Sequence, residues 1–199
     1  MSSKISRRDI LKSLTIGTFA GSVLSVIPAE AAEMAHKMVE ADKAKSATGV
    51  YAPKYFSAQQ YKTLQSLCQT IIPSDADSGG AVEAGAPEFV DLLTSENEDY
   101  QLTLGGGLMW LDSTCNERYG NDYLSSTSAQ QKEVLDLIAY SKNALTHPEI
   151  SHGIAFFALL RMLTADGFFT SKIGIQYLGY IGNTFLTEFP GCPPVPEAS

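Results

Sequence analysis

An apolar helical segment from Ser151 to Gly167 restricts the possible folds of this 199-residue chain more than any other part of it. The large apolar residues of the segment leave no wide polar face: Ile154, Phe156, Phe157, Leu159, Leu160, Met162 and Leu163. A helix without a polar face is buried. Because strand patterns are scarce elsewhere, we expect an all-α fold, a single irregular helical domain in which this helix is buried on nearly every side.

Local signals place two shorter helices before this segment. The first begins at Ser57, where Gln60 completes a capping box, and stops at Pro73. The second begins at Pro87, a residue well suited to the first turn of a helix. Between them, residues 74–86 form an acidic, glycine-rich loop.

Two longer helices are expected at about residues 98–119 and 129–145, the second with Leu145 turned inward. Three consecutive glycines, residues 105–107, lie inside the first of them. Each glycine costs about 1 kcal/mol relative to alanine in a helix. Such a cost is expected where two backbones approach closely or where the helix breaks.

The rest of the chain has little helical periodicity. Residues 32–54 combine Glu, Lys and Ala without an apolar pattern, which predicts an extended arm. After Phe169 the chain is rich in Gly, Pro and aromatic residues, and its prolines exclude a helical C terminus. The expected organisation is a separate N-terminal segment over residues 1–31, an arm over 32–54, and a helical domain over 55–199 with long loops and an extended C-terminal segment.

The first residues are typical of a twin-arginine export signal. The motif consists of paired arginines followed by leucine and lysine, here Arg7, Arg8, Leu11 and Lys12. The apolar run over residues 14–27 is too short to cross a bilayer, which takes about 20 residues. Small side chains at Ala29 and Ala31 predict signal-peptidase cleavage after Ala31. An uncleaved helix or an ordinary basic N terminus are the alternatives.

This signal predicts a periplasmic protein that is exported in the folded state. Removal of residues 1–31 leaves 10 basic and 20 acidic residues, a net charge of −10, compared with −8 for the full chain. Such an acidic surface argues against a nucleic-acid partner, because binding to phosphates needs a basic surface. Folded export often serves proteins that carry a cofactor, so a cofactor site is the first functional feature to consider.

The sequence contains no fingerprint of a catalytic, cofactor or metal site. A Gly-x-Gly-x-x-Gly turn, a Cys-x-x-Cys-His haem motif and a Gly-x-Ser-x-Gly elbow are all missing. The loop at Asp75 and Asp77 lacks the remaining calcium ligands, and a proline interrupts the spacing of His147 and His152. No catalytic, cofactor-binding or metal-binding residue is therefore assigned, although composition does not exclude a Ser–His–Asp set.

Four side chains have alternative roles. Arg161 is the one cation of the apolar segment and is expected to pair with an acid, Asp166 lying five residues on; a substrate contact is the alternative. Cys68 and Cys115 fall on apolar helix faces, either as small buried side chains or as a disulfide pair. Cys192, between Gly and Pro, is a candidate for a bond to another chain.

Several motifs follow one another along the chain in a characteristic order. They are the twin-arginine leader, the segment 56–73 ending in Thr-Ile-Ile-Pro, Gly-Ala-Pro-Glu-Phe at 85–89, Asp-Gly-Phe-Phe-Thr-Ser at 166–171, Tyr-Leu-Gly-Tyr-Ile-Gly-Asn at 177–183 and Phe-Pro-Gly-Cys at 189–192. Together they resemble the gluconate 2-dehydrogenase subunit 3 family, the small (gamma) subunits of membrane-associated sugar dehydrogenases. The resemblance covers nearly all of the chain after the leader.

The resemblance implies a division of labour between subunits. In that family FAD belongs to a separate large subunit of the glucose-methanol-choline (GMC) oxidoreductase type, and a cytochrome c subunit with haem c often accepts the electrons. The resemblance therefore implies a non-catalytic chain, without a cofactor of its own, that supports folding and twin-arginine export of the flavoprotein. The alternatives are a subunit that completes or covers the active site, and a free-standing exported helical binding protein.

The aromatic, Gly- and Pro-rich stretch over residues 168–195 is the expected contact surface for a large subunit. Rigid aromatic and Pro-rich segments provide contact area at low entropic cost. The candidate interface residues are Trp110, Phe168, Phe169, Tyr177, Tyr180 and Cys192. The alternative is that these aromatic side chains complete the core of the domain itself.

Overall fold

The computed structural model describes residues 27–182. Within this range the chain forms helices and no strand, which confirms the all-α prediction. In chain order the α-helices are α1 Ala29–Lys45, α2 Ala58–Ile71, α3 Ala86–Ser95, α4 Glu98–Tyr100, α5 Gly106–Tyr119, α6 Ser128–Ile138, α7 Ser151–Phe169 and α8 Lys172–Tyr177. A π-helical turn, Gln101–Gly105, joins α4 to α5, and two 3-10 turns, Ser141–Leu145 and Pro148–Ile150, lie between α6 and α7.

Helix α7 is the centre of the domain. It packs against α2, α3, α5, α6 and α8. Its buried residues are Gly153, Phe156, Phe157, Leu160, Leu163, Thr164, Gly167 and Phe168. The prediction that this helix is buried on nearly every side is wrong. Its exposed residues include Ser151, His152, Ala155, Ala158, Arg161 and Phe169, so one side of the central helix reaches the surface.

The stretch Pro148–Phe169 has the length and a mean hydropathy, 1.2, that would allow it to cross a membrane. The central helix of a globular domain meets the same two criteria. Here 44% of the apolar window is buried inside the domain, and its neighbours are the other helices of this chain. The stretch therefore acts as a core helix in this structure.

The predicted extended arm is wrong, because residues 29–45 form helix α1. Its buried side consists of Ala31, Ala32, Ala35 and Val39, and it packs against α3. Alanine is the strongest helix former, and its small side chain lets two helices lie close together. A face built from alanine has little hydropathy contrast, so the sequence pattern did not reveal it.

The sequence located the start of α2 and the end of α5 correctly. Ser57 and Gln60 form the expected capping box at the start of α2. Gly120, with a φ of 74°, ends α5 in the left-handed conformation that glycine favours. Helix α6 ends at Ile138, however, and Leu145 lies 86% exposed in a 3-10 turn. The predicted extension of α6 to Leu145 is therefore wrong.

The helix predicted over residues 98–119 exists, with a π-helical turn at the start of the glycines. There the Tyr55 hydroxyl donates to the carbonyl oxygen of Gln101 at 3.0 Å. Gly107 lies directly against Phe156 of α7, because a Cβ at this position would be 2.1 Å from Phe156 Cγ. This glycine therefore allows the close approach of two helices.

The C-terminal segment is only partly as expected. Helix α8 was not predicted, and Ser171 caps it, since its Oγ accepts from the backbone N–H of Gly174 at 3.0 Å. The proline-rich end of the chain falls in residues 183–199, outside the described range. The helix places Tyr177 on the surface next to α7.

Candidate docking surface

Exposure divides the predicted interface residues into two groups. Phe169, Tyr177 and Tyr180 are 41%, 54% and 57% exposed, as an interface requires. Phe168 is only 2% exposed. For Phe168 the alternative assignment to the domain core is therefore the correct one.

The two remaining candidates lie elsewhere. Trp110 is partly buried against the core, and its ring covers Gly153 of α7, where a Cβ would lie 2.7 Å from the ring. Trp110 thus packs at the contact between α5 and α7 rather than standing out from the surface. Cys192 falls outside the described residues, so its bond to another chain stays a prediction.

Three apolar residues that sequence reasoning missed are exposed beside the aromatic side chains. They complete a surface that we call the C-terminal patch: Phe169, Ile175, Tyr177, Leu178, Tyr180 and Ile181. The sequence could not show which of these side chains face outward, because α8 has only six residues. So short a helix has no readable periodicity.

The C-terminal patch is held in place by the end of the central helix. The Phe168 ring contacts the rings of Phe169 and Tyr177 edge-on, with centroid distances of 5.1 and 6.3 Å. Helix α8 itself packs against α7. The buried Phe168 ring thus orients two exposed rings. Because these rings are already ordered, they lose less conformational entropy when a partner binds.

A cleft of about 610 Å³ opens beside the C-terminal patch, between α1, residues 83–85 and α8. Its walls carry two ion pairs, Glu33–Lys37 and Glu40–Lys172. Because these charges neutralise one another locally, the cleft has no strong preference for an anion or a cation. Ile175 of the patch also lines the cleft, so the two features form a continuous surface.

His36 of α1 forms part of the cleft wall and ties α1 to the domain. Its Nε2 lies 2.9 Å from the Thr170 hydroxyl, and its ring stacks on Phe89 with a centroid distance of 5.0 Å. Burial lowers the pKa of His36, while Glu40 and the backbone of Gly167 act in the opposite direction. The half-buried neutral ring is therefore a packing and hydrogen-bonding group.

This pKa shift predicts the pH dependence of stability. Because the pKa of His36 is lower in the folded than in the unfolded chain, the unfolded chain binds the proton more readily, and stability falls as the pH drops through about 6.5. When the pH falls from about 7.5 to about 5.5, the free energy of unfolding should decrease less in His36→Gln than in the wild type, because the variant lacks this titrating group. Urea unfolding at the two pH values measures this difference, and His152→Gln, at an exposed histidine, is the control. An unchanged difference in His36→Gln would contradict the role assigned to this ring.

Asp91 of α3 is a fully buried carboxylate with four hydrogen-bond donors. Its Oδ2 accepts from the Tyr51 hydroxyl at 2.9 Å and the Lys54 N–H at 2.7 Å. Its Oδ1 accepts from the N–H groups of Tyr55 and Phe56 at 3.1 and 3.0 Å. Both oxygens are occupied, so Asp91 acts as an anchor that holds the connection between α1 and α2 on α3.

The Asp91 anchor also affects its tyrosine partner. Burial raises the pKa of the Tyr51 hydroxyl far above its ordinary range, and the Asp91 carboxylate raises it further. The hydroxyl therefore remains a hydrogen-bond donor at every pH at which the domain is folded. The ion pair between Lys54 and Asp42 fastens the end of α1 to the same connection.

Arg161 and Asp166 do not form the predicted ion pair. Five residues rotate a helix by about 140°, so the two side chains leave α7 on different sides. Arg161 is exposed. Asp166 is partly buried, and burial raises its pKa, although a hydrogen bond from the Ile27 backbone acts to lower it. One oxygen of Asp166 is buried without a hydrogen-bond partner, so this carboxyl favours the protonated form more than an exposed one does.

Cys68 and Cys115 are free, buried thiols. The Cys68 Sγ lies 3.5 Å from the Thr164 hydroxyl. Burial raises the pKa of Cys68 to about 12 and also raises the pKa of Cys115. A higher thiol pKa reduces the thiolate fraction that disulfide formation needs. Of the two alternatives, the structure therefore contains the small buried side chains and not the pair.

The leader can be compared with the structure only at its end. The four motif residues lie outside the described range: Arg7, Arg8, Leu11 and Lys12. Ala29 and Ala31 belong to the first turn of α1, and Ala31 is fully buried. Because proteolysis favours exposed, mobile segments, cleavage after Ala31 would require this turn to unwind.

The part of the chain from residue 27 to residue 182 contains no group of three His, Cys, Asp or Glu side chains that could hold a metal ion. His147 instead pairs with Glu149 at 3.0 Å. The candidate functional feature that the described structure offers is a surface, the C-terminal patch with its adjoining cleft.

Comparison with known proteins agrees with the motifs. A family model described as gluconate 2-dehydrogenase subunit 3 matches residues 58–191, about two thirds of the chain. No curated protein and no solved structure gives a significant match. The matched range contains α2 to α8, including the whole C-terminal patch, and confirms the resemblance inferred from the motifs.

Proposed function

Because this chain belongs to the gluconate 2-dehydrogenase subunit 3 family, we propose that it is the non-catalytic small subunit of a periplasmic, FAD-dependent sugar or alcohol dehydrogenase. Its partner is a large flavoprotein of the GMC type that holds the FAD, and a cytochrome c subunit with haem c accepts the electrons. The small subunit supports the folding of the flavoprotein and carries the twin-arginine signal for both. The C-terminal patch is the observation that carries the proposal.

The composition of the patch suits a protein partner. Its six side chains are large and apolar, and each remains exposed in the isolated chain. Complete burial of a fully exposed large apolar side chain contributes about 1.5–3 kcal/mol, and the part of each patch side chain that is still exposed makes a share of this free energy available to a complex. Exposed apolar patches of this kind mark interaction sites on soluble domains.

Docking would stabilise the flavoprotein by mass action. A subunit that binds only the folded form raises its stability by about 2.7 kcal/mol when the free subunit is at 100 times its dissociation constant. The role needs no catalytic group in this chain. It needs a preformed surface, and the edge-on packing of Phe168 against Phe169 and Tyr177 supports this requirement.

The position of α1 supports the export part of the proposal. The first turn of this helix contains the last residues of the predicted leader, 29–31, and the helix is fastened to the domain by the ion pairs Lys43–Glu88 and Lys54–Asp42. The end of the leader is therefore positioned only after the domain has folded. Such coupling suits a route that transports folded proteins.

The interface is tested by replacing its aromatic residues. We expect the double variant Tyr177→Ser/Tyr180→Ser to weaken binding of the flavoprotein by about tenfold or more, because exposed aromatic side chains contribute much of the energy of an interface. Val50→Ser is the control, since Val50 is 65% exposed outside the patch. Co-purification of flavin absorbance with the tagged small subunit, followed by titration calorimetry, measures the effect.

Two outcomes would contradict the proposal: one concerns the location of the interface, and the other concerns the role in folding and export. Equal binding by the double variant and Val50→Ser would show that the C-terminal patch is not the interface. Expression of the large subunit alone tests the role itself. A large subunit that folds with FAD and reaches the periplasm without this chain would remove the folding and export function.

A further inference from the structure

A second surface feature lies at the other end of the central helix. A groove of about 380 Å³ separates the end of α6 from α7. We call it the basic groove, and its lining residues are Ala139, Tyr140, Ser141, Lys142, Ile154, Ala158 and Arg161. Among the residues that the structure describes, this lining contains two cations and no acidic side chain.

Two cations without an ion pair among residues 27–182 are unexpected in such an acidic chain. Residues 27–182 contain ten lysines and arginines, and seven of them form ion pairs: Lys37, Lys43, Lys45, Lys54, Arg118, Lys132 and Lys172. The other three are Lys62, Lys142 and Arg161. Two of these three line the same groove.

The basic groove combines its charges with an apolar wall. The Lys142 Nζ lies over the Tyr140 ring, 5.5 Å from its centroid, a cation–π contact that holds the ammonium at the groove. Arg161 presents a planar guanidinium, which binds a carboxylate with two parallel hydrogen bonds. Ile154 and Ala158 contribute apolar contact area between the cations. This arrangement fits a segment that carries both a carboxylate and an apolar side chain.

The basic groove is connected to the C-terminal patch along one side of α7. Ala158 and Phe169 are eleven residues apart, a spacing that returns to the same side of a helix after about 16 Å. Met162 and Ala165 lie between them on that side and are partly exposed. A partner bound at the patch can therefore extend along α7 to the groove.

We propose that the basic groove binds an acidic segment of the flavoprotein partner, with Arg161 and Lys142 as the recognition groups. This inference rests on the proposed function, because it deepens the same interface. The charge of the chain disfavours an anionic membrane as the occupant. Two lysine or arginine side chains contribute about 1 kcal/mol each at such a membrane, whereas the net charge of −10 expected after removal of residues 1–31 is repelled by it. A single carboxylate of a protein partner interacts mainly with the two cations that line the groove, so the net charge of the chain affects its binding less.

Charge reversal tests the basic groove. We expect Arg161→Glu and Lys142→Glu each to weaken binding of the purified flavoprotein by about tenfold or more. The salt dependence of the remaining affinity should also become smaller, because the screened ion pair is lost. Lys62→Glu is the matched control, since Lys62 is exposed, unpaired among the described residues and outside the groove. Titration calorimetry at low and high salt measures both effects, and thermal unfolding verifies that the variants are folded.

The outcomes separate the two proposals. A wild-type subunit that does not bind the flavoprotein overturns the proposed function and the groove assignment with it. Wild-type binding with equal affinities for Arg161→Glu and Lys62→Glu overturns only the assignment of the groove. Vesicles of phosphatidylglycerol form the second arm of the experiment. If Arg161→Glu removes sedimentation with these vesicles and leaves flavoprotein binding intact, the occupant is a lipid headgroup and the proposal is wrong.

Discussion

Replacement of Asp91 by asparagine is expected to lower the free energy of unfolding by about 3 kcal/mol or more. The carboxylate accepts four hydrogen bonds, from the Tyr51 hydroxyl and from the N–H groups of Lys54, Tyr55 and Phe56. An asparagine amide offers one acceptor oxygen, so its NH₂ group must face two of these donors whichever way it is turned. The loss is large because the site is fully buried and water cannot replace the missing acceptor.

Urea unfolding followed by circular dichroism measures the effect of Asp91→Asn. Asp99→Asn is the control, since Asp99 is exposed at the start of α4, and we expect it to change stability by about 0.5 kcal/mol or less. Hydrogen exchange should show the greatest loss of protection at the N–H groups of residues 54–56. Equal stabilities of the two variants would show that Asp91 is not an anchor.

Replacement of Gly107 by alanine is expected to destabilise the domain by about 3 kcal/mol. The new Cβ would lie 2.1 Å from Phe156 Cγ, far inside van der Waals contact. Phe156 is fully buried in the core, so its ring cannot move without displacing its neighbours. Either α5 and α7 separate or the core repacks, and both changes reduce buried apolar contact.

The adjacent glycine provides the control, because its replacement by alanine is expected to increase stability rather than decrease it. Gly106 lies in the same helix at a φ of −62°, and no atom lies within 4 Å of a Cβ built there. We therefore expect Gly106→Ala to stabilise the domain by up to about 1 kcal/mol, the difference in helix propensity. Denaturant unfolding of the two variants measures this comparison. Equal effects would mean that helix propensity, and not the contact with Phe156, decides the cost at Gly107.

Local signals in the sequence were sufficient for several parts of the fold. The capping box at Ser57 depends only on residues within one helical turn, and so does the left-handed turn at Gly120. The family motifs are also short, and they are sufficient to identify the family that the family model confirms. Such features are predictable because the interactions that create them lie close together in the chain.

Features that depend on distant residues were missed. Helix α1 buries an alanine face whose packing against α3 has no hydropathy signature. The Asp91 anchor joins α3 to three consecutive backbone amides about 35 residues earlier, and backbone donors leave no mark in a sequence. The sequence does not show the basic groove, because several of the other cations form ion pairs with acids from distant segments.

The sequence by itself determined that the chain is helical, where most helices begin, and which family it belongs to, because capping residues, apolar spacing and short motifs act locally. The tertiary structure alone decided which side of each helix faces outward. It placed Phe168 in the core and Phe169, Tyr177 and Tyr180 on the surface, and left Arg161 exposed rather than paired with Asp166. Burial depends on what packs against a side chain, and those neighbours come from segments far away in the chain.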